Sequence, residues 1–453
     1  MGNDLSTLGI NKDDIKGFEC RHATYTTTAD KKHDCVTVKE YIHLKDGRRI
    51  PNIRTIIDFK RPFWVTGKAN RTHKDHLEWD KLENLVKYES TQSNLLESVA
   101  RATGQYLGPR TSLKTLAQTP GLYGTDIRST ELIKHSYGKK FPDCISPTAG
   151  VAALDIEADI VYGTGDIICA SLTFGSKAIL TVNKWWLGPE NEAKLHAAFD
   201  KYLGKYKRER NIVLEIVFCD NEAECAKLLI DRAHEWKPDF ISIWNMNYDL
   251  KKIDEVFKKY NYDSARIFSD PAVPDVFCKW KYKEGKTQKV TQSGKTTGLH
   301  PADRWHIAEC PASFYFIDAM CLYKRIRLAA GMVSSYSLDA TLKRHLGIGK
   351  LNFADVDKLN GTAWHKEMQT AYRVEYCIYN IFDNIGQELL DEKTGDINKS
   401  FTALVGVSDF DKFNSNPRRI VDDLHFFCLD HGLVISATPD DVKHELDKYV
   451  VGL

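Results

Sequence analysis

The chain has 453 residues, 42% hydrophobic and 28% charged, enough for two or three domains and a substantial buried core. Lys and Arg number 63 against 62 Asp and Glu, a net charge of +1, so a nucleic-acid surface must be a local patch and not a global bias. No apolar run reaches the roughly 20 residues that span a bilayer, no signal peptide is present, and the eleven cysteines contain no C-x-x-C pair. These features point to a soluble protein with reduced intracellular thiols and no membrane partner. Met1-Gly2-Asn3-Asp4-Leu5-Ser6 fits the loose myristoylation pattern, but no basic cluster adjoins it.

The first 145 residues read as a mixed α+β N-terminal domain. Val36 to Leu44 alternates partly like a strand, Asp46-Gly47 supplies a turn, and Arg48 to Asp58 reads as a second strand. Trp79 to Thr103 has helical spacing at Leu82, Leu85, Val86, Leu95, Leu96 and Val99. Pro142 and Pro147 then punctuate the chain, which places a boundary near 145. Beyond it the pattern is α/β. Strands are expected at 152–157, 167–174 and 177–182, a helix at 190–203, and a buried strand at 212–218. Asn221 caps a helix, with Glu224 three residues on. A strand at 240–244, a helix at 249–260 and one long helix at about 366–390 follow. Three successive strands, then helices alternating with strands, suggest a ribonuclease-H-like sheet over 146–392.

Three acidic words lie in this region: Asp155-Ile156-Glu157, Tyr248-Asp249 and Tyr379-Asn380-Ile381-Phe382-Asp383. Asp155 and Glu157 are two apart in a strand and leave one face together with Ala153, while Leu154 and Ile156 point to the core. The two carboxylates repel each other, and a divalent cation would relieve that repulsion. A solvated strand end is the bland reading, and Asp159 reads as surface. Asp249 stands after the strand at 240–244, where open α/β sheets place their sites, although it could equally cap the next helix. Tyr379 and Asp383 are i and i+4 on one helix face, a spacing that an ordinary amphipathic helix also produces.

Taken together, in the order Asp155-x-Glu157, Asn245-x-x-Tyr248-Asp249, Tyr379-Asn380-x-x-Asp383, the words resemble the three exonuclease motifs of family B DNA polymerases, the DEDDy 3′–5′ exonucleases. The tailed-phage replicative type is the nearest in pattern. Ile317-Asp318-Ala319-Met320-Cys321-Leu322-Tyr323-Lys324, Ser335-Tyr336-Ser337-Leu338-Asp339 and Leu346-Gly347-Ile348-Gly349-Lys350-Leu351 are similar to other stretches of that group. The likeness covers about 150–395. It departs in the second motif, where two residues and not three separate Asn245 from Tyr248, and Tyr replaces Phe. The resemblance implies hydrolysis of a 3′-terminal phosphodiester by two Mg²⁺ or Mn²⁺ ions about 3.5–4 Å apart. Asp155 would bridge both ions, Glu157 and Asp383 would hold the one that activates water, and Asp249 the other. Tyr379 would aim the water, since a phenol of pKa about 10 suits orientation better than general-base work. Asn245 and Tyr248 would contact the DNA.

Lys279, Lys281, Lys283, Lys286, Lys289 and Lys295 face only Glu284 among acids in their segment, and Ser293-Gly294 offers a turn. A basic hairpin there would suit phosphate contacts or strand separation, in the interval where the phage polymerases carry a hairpin insertion; a solvated lysine-rich loop is the plainer alternative. Phe314-Tyr315-Phe316 reads as an apolar strand rather than a base-stacking site. Cys278, His300, His306 and Cys310 have zinc-type side chains but no compact finger spacing.

The palm signatures of a family B polymerase (D-x-x-S-L-Y-P, K-x-x-x-N-S-x-Y-G and Y-x-D-T-D) do not occur in the sequence. By the resemblance, 393–453 is a return segment packing on the N-terminal domain, with Val434-Ile435-Ser436 as a strand. The apolar finish Tyr449 to Leu453 suggests a partner surface or continuation in a second polypeptide. The leading expectation is therefore the N-terminal and exonuclease portion of such a polymerase, split or truncated, in the cytoplasm of a bacterial host. Its partners would be the 3′ end of single-stranded DNA, primer-template DNA, a polymerase-domain subunit and, as a further candidate, a sliding clamp. A stand-alone repair exonuclease and a non-catalytic primer-template scaffold are the alternatives.

Overall fold

A computed structural model describes residues 9–67, 78–398 apart from positions 118, 292, 332, 350, 352, 354, 355, 357 and 360, and 416–436. The myristoylation-like start and the apolar finish lie outside the described residues. The protein is mixed α/β and divides into two compact units. The described residues of the first lie within 9–145, 272–278 and 416–436, and those of the second within 146–271 and 279–398. No helix among the described residues is long and apolar enough to cross a membrane, and none of the eleven cysteines is disulfide-bonded.

In the first unit, Ile15–Thr27, Asp34–Leu44 and Arg49–Ile57 form an antiparallel meander. Gly47 sits in the second turn at φ +90°, a conformation that side chains with a Cβ rarely adopt. The helix expected over 79–103 is largely strand. Trp79–Lys81 pairs with Leu433–Ile435, and Leu85–Ser90 pairs with Arg61–Thr66. Only Leu95–Thr103 is helical. Strand partners distant in sequence decided the first half of that segment, and only Leu95 and Val99 keep the helical burial pattern.

The second unit is built on a six-stranded sheet. Its strands are β1 (Val151–Ala158), β2 (Ile167–Phe174), β3 (Lys177–Asn183), β4 (Val213–Cys219), β5 (Phe240–Ile243) and β6 (Tyr315–Asp318), in spatial order β4-β3-β2-β1-β5-β6. β1, β2 and β3 run as an antiparallel meander, while β4 lies parallel to β3 and β5 and β6 lie parallel to β1. The helices that matter to the site are α1 (Glu192–Arg210), α2 (Glu222–Trp236), α3 (Met246–Lys259), α4 (Ala319–Ile326), α5 (Leu338–Leu346), α6 (Thr362–Thr370) and α7 (Arg373–Thr394). Leu154, Ile156, Leu172 and Ile241 pack with apolar residues of α2 and α3. Ile168, Leu180 and Val182 pack with those of α1 and α7 on the other side. The sheet is thus covered on both faces, as strands rich in Ile, Leu, Val and Ala require.

Three local expectations change. β4 is an edge strand, not a buried one: Val213 is 73% exposed, because among the described residues β3 is its only strand partner. The long helix at 366–390 is two helices, α6 and α7, broken at Ala371 and Tyr372. At the break the Thr370 hydroxyl bonds back to the carbonyls of Lys366 and Glu367. Asp159 is buried, not surface. It accepts from the backbone N–H groups of Val161, Tyr162 and Thr164 and from the Thr164 hydroxyl, each at 2.8 Å. Burial pushes its carboxyl up, but these four donors outweigh burial and bring its pKa down to about 2.

A depressed carboxylate pKa stabilises the fold above the unfolded value, about 3.9, and that stability is lost as pH falls through the folded one. Asp159→Asn should therefore cost about 2 kcal/mol in urea unfolding at neutral pH. The difference from wild type should shrink as the titration passes below about pH 4.

Candidate active site

The site lies at the carboxy-terminal ends of β1, β5 and β6, against α7. Asp155 and Glu157 leave β1 on the face opposite Leu154 and Ile156 and are partly buried. Asp249 is in the first turn of α3, four residues after Asn245, whose backbone carbonyl accepts the Asp249 N–H at 3.1 Å. The helix begins at Met246 with Asn245 at the N-cap, so Asp249 is not the cap. Tyr379 and Asp383 lie on α7, and Asp249, Tyr379 and Asp383 are all buried. All five line one cavity of about 810 Å³. Asn245 and Tyr248 line it too, with Tyr248 47% exposed.

Electrostatic coupling ties the acids together. Burial first, then the charges of Glu157 and Asp383, hold the Asp249 carboxyl well above the usual range. The Tyr248 phenol is raised by burial and by Glu157, Asp249 and Asp155. A further acid, Asp318, stands at the end of β6 opposite Ile243 of β5 and lines the cavity. Burial lifts it to about 6 against the N–H of Cys321, which it caps at the start of α4.

Neighbouring side chains hold the acids in place. Asn380 Nδ2 donates to Asp155 Oδ2 at 2.7 Å, and the Tyr376 hydroxyl donates to Glu157 Oε2 at 2.5 Å. Gln369 accepts from Ile160 N at 3.0 Å and donates to Ala158 O at 2.9 Å, which ties α6 to the end of β1. Asn380 lies inside the Tyr379-Asp383 word and Tyr376 one turn before Asn380, so helical spacing carried part of this signal. His365 and Gln369 left no sequence signal.

The lysines are arranged otherwise. Lys281–Lys283 pairs with Ile307–Glu309, and Gln288–Val290 forms a separate ribbon with Thr296–Gly298. Lys281, Lys283, Lys286 and Lys289 are exposed, Lys279 pairs with Glu309 at 3.2 Å, and none of the five lines the cavity. Between Lys281 and Lys283, Tyr282 turns inward: its hydroxyl is 3.0 Å from Nδ1 of His306, a cavity residue. Arg304, which the sequence reading passed over, is the basic side chain of the cavity lining.

The zinc-type side chains have other surroundings. His306 Nδ1 accepts from Gly285 N at 3.2 Å, His300 Nδ1 accepts from Ala302 N at 3.1 Å, and Cys310 is buried in an apolar cluster. Among the described residues no group of three or more His, Cys, Asp or Glu side chains is gathered tightly enough to hold an ion. No family model and no curated protein matches this sequence.

Removing one of the mutually repelling charges should stabilise the protein when no cation is present. In urea unfolding with EDTA at neutral pH, Asp249→Asn should gain about 1–2 kcal/mol over wild type. Added Mn²⁺ should raise the wild-type melting temperature and move that of the variant much less.

Proposed function

We propose that the second unit is a ribonuclease-H-like DEDDy 3′–5′ exonuclease, the editing part of a family B DNA polymerase. The observation that carries this reading is the convergence of Asp155, Glu157, Asp249, Tyr379 and Asp383, from three distant words, on one cavity. The meander of β1 to β3, continued by parallel strands reached through helices, supports the fold assignment.

The donor set fits hard divalent cations: it is all carboxylate oxygen, and the repulsion acting on Asp249 is the kind a cation relieves. Asp155, Glu157, Asp249 and Asp383 would hold two Mg²⁺ or Mn²⁺ ions. When bound, these supply charge stabilisation at the scissile phosphate and lower the pKa of water. The chain's own residues do the rest. Asn380 and Tyr376 orient Asp155 and Glu157 through their hydrogen bonds. Tyr379 offers a phenol O–H to the attacking water, and its ring is set by Trp364, edge-on at 5.0 Å. Arg304 provides the charge for a phosphate, while Trp244, Tyr248 and Leu338 give the cavity an apolar wall for a base. Primer-template DNA would be shared with the polymerase-domain subunit.

With Mg²⁺ and 5′-labelled single-stranded DNA, the protein should shorten strands from the 3′ end. Asp155→Ala with Glu157→Ala should reduce the rate by on the order of 10³-fold or more, a loss of about 4 kcal/mol of transition-state stabilisation. Tyr379→Phe should lower kcat about 10- to 100-fold and leave KM nearly unchanged. No shortening by wild type, or shortening that survives the double substitution, would overturn the reading.

A further inference from the structure

Tyr376 lies outside the five residues of the proposed catalytic set, yet it is buried against one of them. Its hydroxyl is 2.5 Å from Glu157 Oε2, 2.8 Å from His365 Nδ1 and 3.4 Å from Gln369 Nε2. A carboxylate only accepts, so the phenol proton lies toward Glu157. The phenol oxygen must then accept from His365, whose ring carries its proton on Nδ1. The Gln369 amide cannot turn over, because Ile160 N and Ala158 O fix its two ends.

The ring is fixed as well as the hydroxyl. It stacks on Tyr379 with centroids 5.9 Å apart and an interplanar angle of 5°, and it meets Trp186 edge-on at 6.3 Å. The Trp186 indole N–H in turn donates to Gln369 O at 3.1 Å. A single side chain therefore restrains a carboxylate through its oxygen and the neighbouring tyrosine through its face.

We infer that Tyr376, backed by His365, is a positioning residue that fixes Glu157 in the orientation in which it takes its divalent cation. The inference rests on the proposed function. Partners that orient a ligating side chain are worth about 10- to 100-fold in metal affinity.

The test is calorimetric titration of Mn²⁺ into the metal-free protein. Tyr376→Phe should weaken binding by about 10-fold or more and lower kcat on 5′-labelled single-stranded DNA at unchanged KM. His365→Asn, whose amide N–H can replace Nδ1–H, should keep most of the affinity, and His365→Leu should lose it. Should Tyr376→Phe fail to fold, the His365 pair decides: equal affinities for Asn and Leu overturn the inference. If wild type takes up no Mn²⁺, the proposed function fails and the inference with it. If wild type takes up Mn²⁺ and Tyr376→Phe matches it, only the inference falls.

Discussion

The site depends on the register of one buried helix. Along α7, Tyr376, Asn380, Asn384, Gln387 and Glu388 form a stripe at helical spacing, and each hydrogen-bonds to the sheet beneath it. Tyr376 reaches Glu157, Asn380 reaches Asp155, and Asn384 reaches Ser171 through both its carbonyl and its hydroxyl at 2.8 Å. Ser242 donates to Gln387 at 3.1 Å, and Thr173 donates to Glu388. A buried polar group that loses its partner costs about 1–3 kcal/mol, and each of these residues keeps at least one bond to the sheet, although Asn380 Oδ1, Asn384 Oδ1 and Gln387 Nε2 stand without a partner of their own among the described residues. Sliding α7 by one turn, about 5.4 Å, would break all five matches at once. The same register delivers Tyr379 and Asp383 to the cavity, so fold specificity and site geometry have a common origin.

That arrangement works against the stability of the resting protein. Asp155, Glu157, Asp249, Asp318 and Asp383 share one cavity, and Asp249 shows the strain in its raised pKa. Residues chosen for stability alone would not place so many carboxylates in a covered space. The expense is borne by the apolar layers on both sides of the sheet, which hold β1, β5 and α7 in place whatever the acids prefer. Like-charged carboxylates held by a rigid frame suit the cations of the proposed function.

What the sequence revealed follows from how local each signal was. The strand parity of Asp155 and Glu157, the helix spacing of Tyr379 and Asp383, and the place of Asp249 after an apolar strand are short-range patterns, and all were readable. Asp159 shares the parity of Asp155 and was misread because its four donors come from a loop that alternation does not describe. The segment 79–103 failed for a related reason: its strand partners, Arg61–Thr66 and Leu433–Ile435, are distant in sequence. Tyr376 and Asn380 were visible as letters, but their hydrogen bonds cross from a helix to a strand more than two hundred residues earlier. His365 and Gln369 depend on the break between α6 and α7, which an apolar period running through 366–390 conceals.

The lysine-rich segment shows how charge is divided around such a cavity. A pocket lined by five carboxylates repels a phosphate backbone, so under the proposed function the cations that meet nucleic acid would stand outside the acids or beside them. The ribbon at Lys281–Lys283 meets this condition by alternation: Tyr282 turns in and bonds to His306 on the cavity wall, while Lys281 and Lys283 face solvent. Arg304, three residues before the paired strand Ile307–Glu309, sits in the lining itself. Exposed lysines act over a Debye length of about 8 Å at physiological salt, which suits them to gathering a strand rather than to fixing one phosphate. An arginine with a planar fork in the cavity is suited to the second task. The tyrosine between the two lysines ties the outer cations to the wall that carries His306, which under the proposed function would hold a bound strand close to the acids.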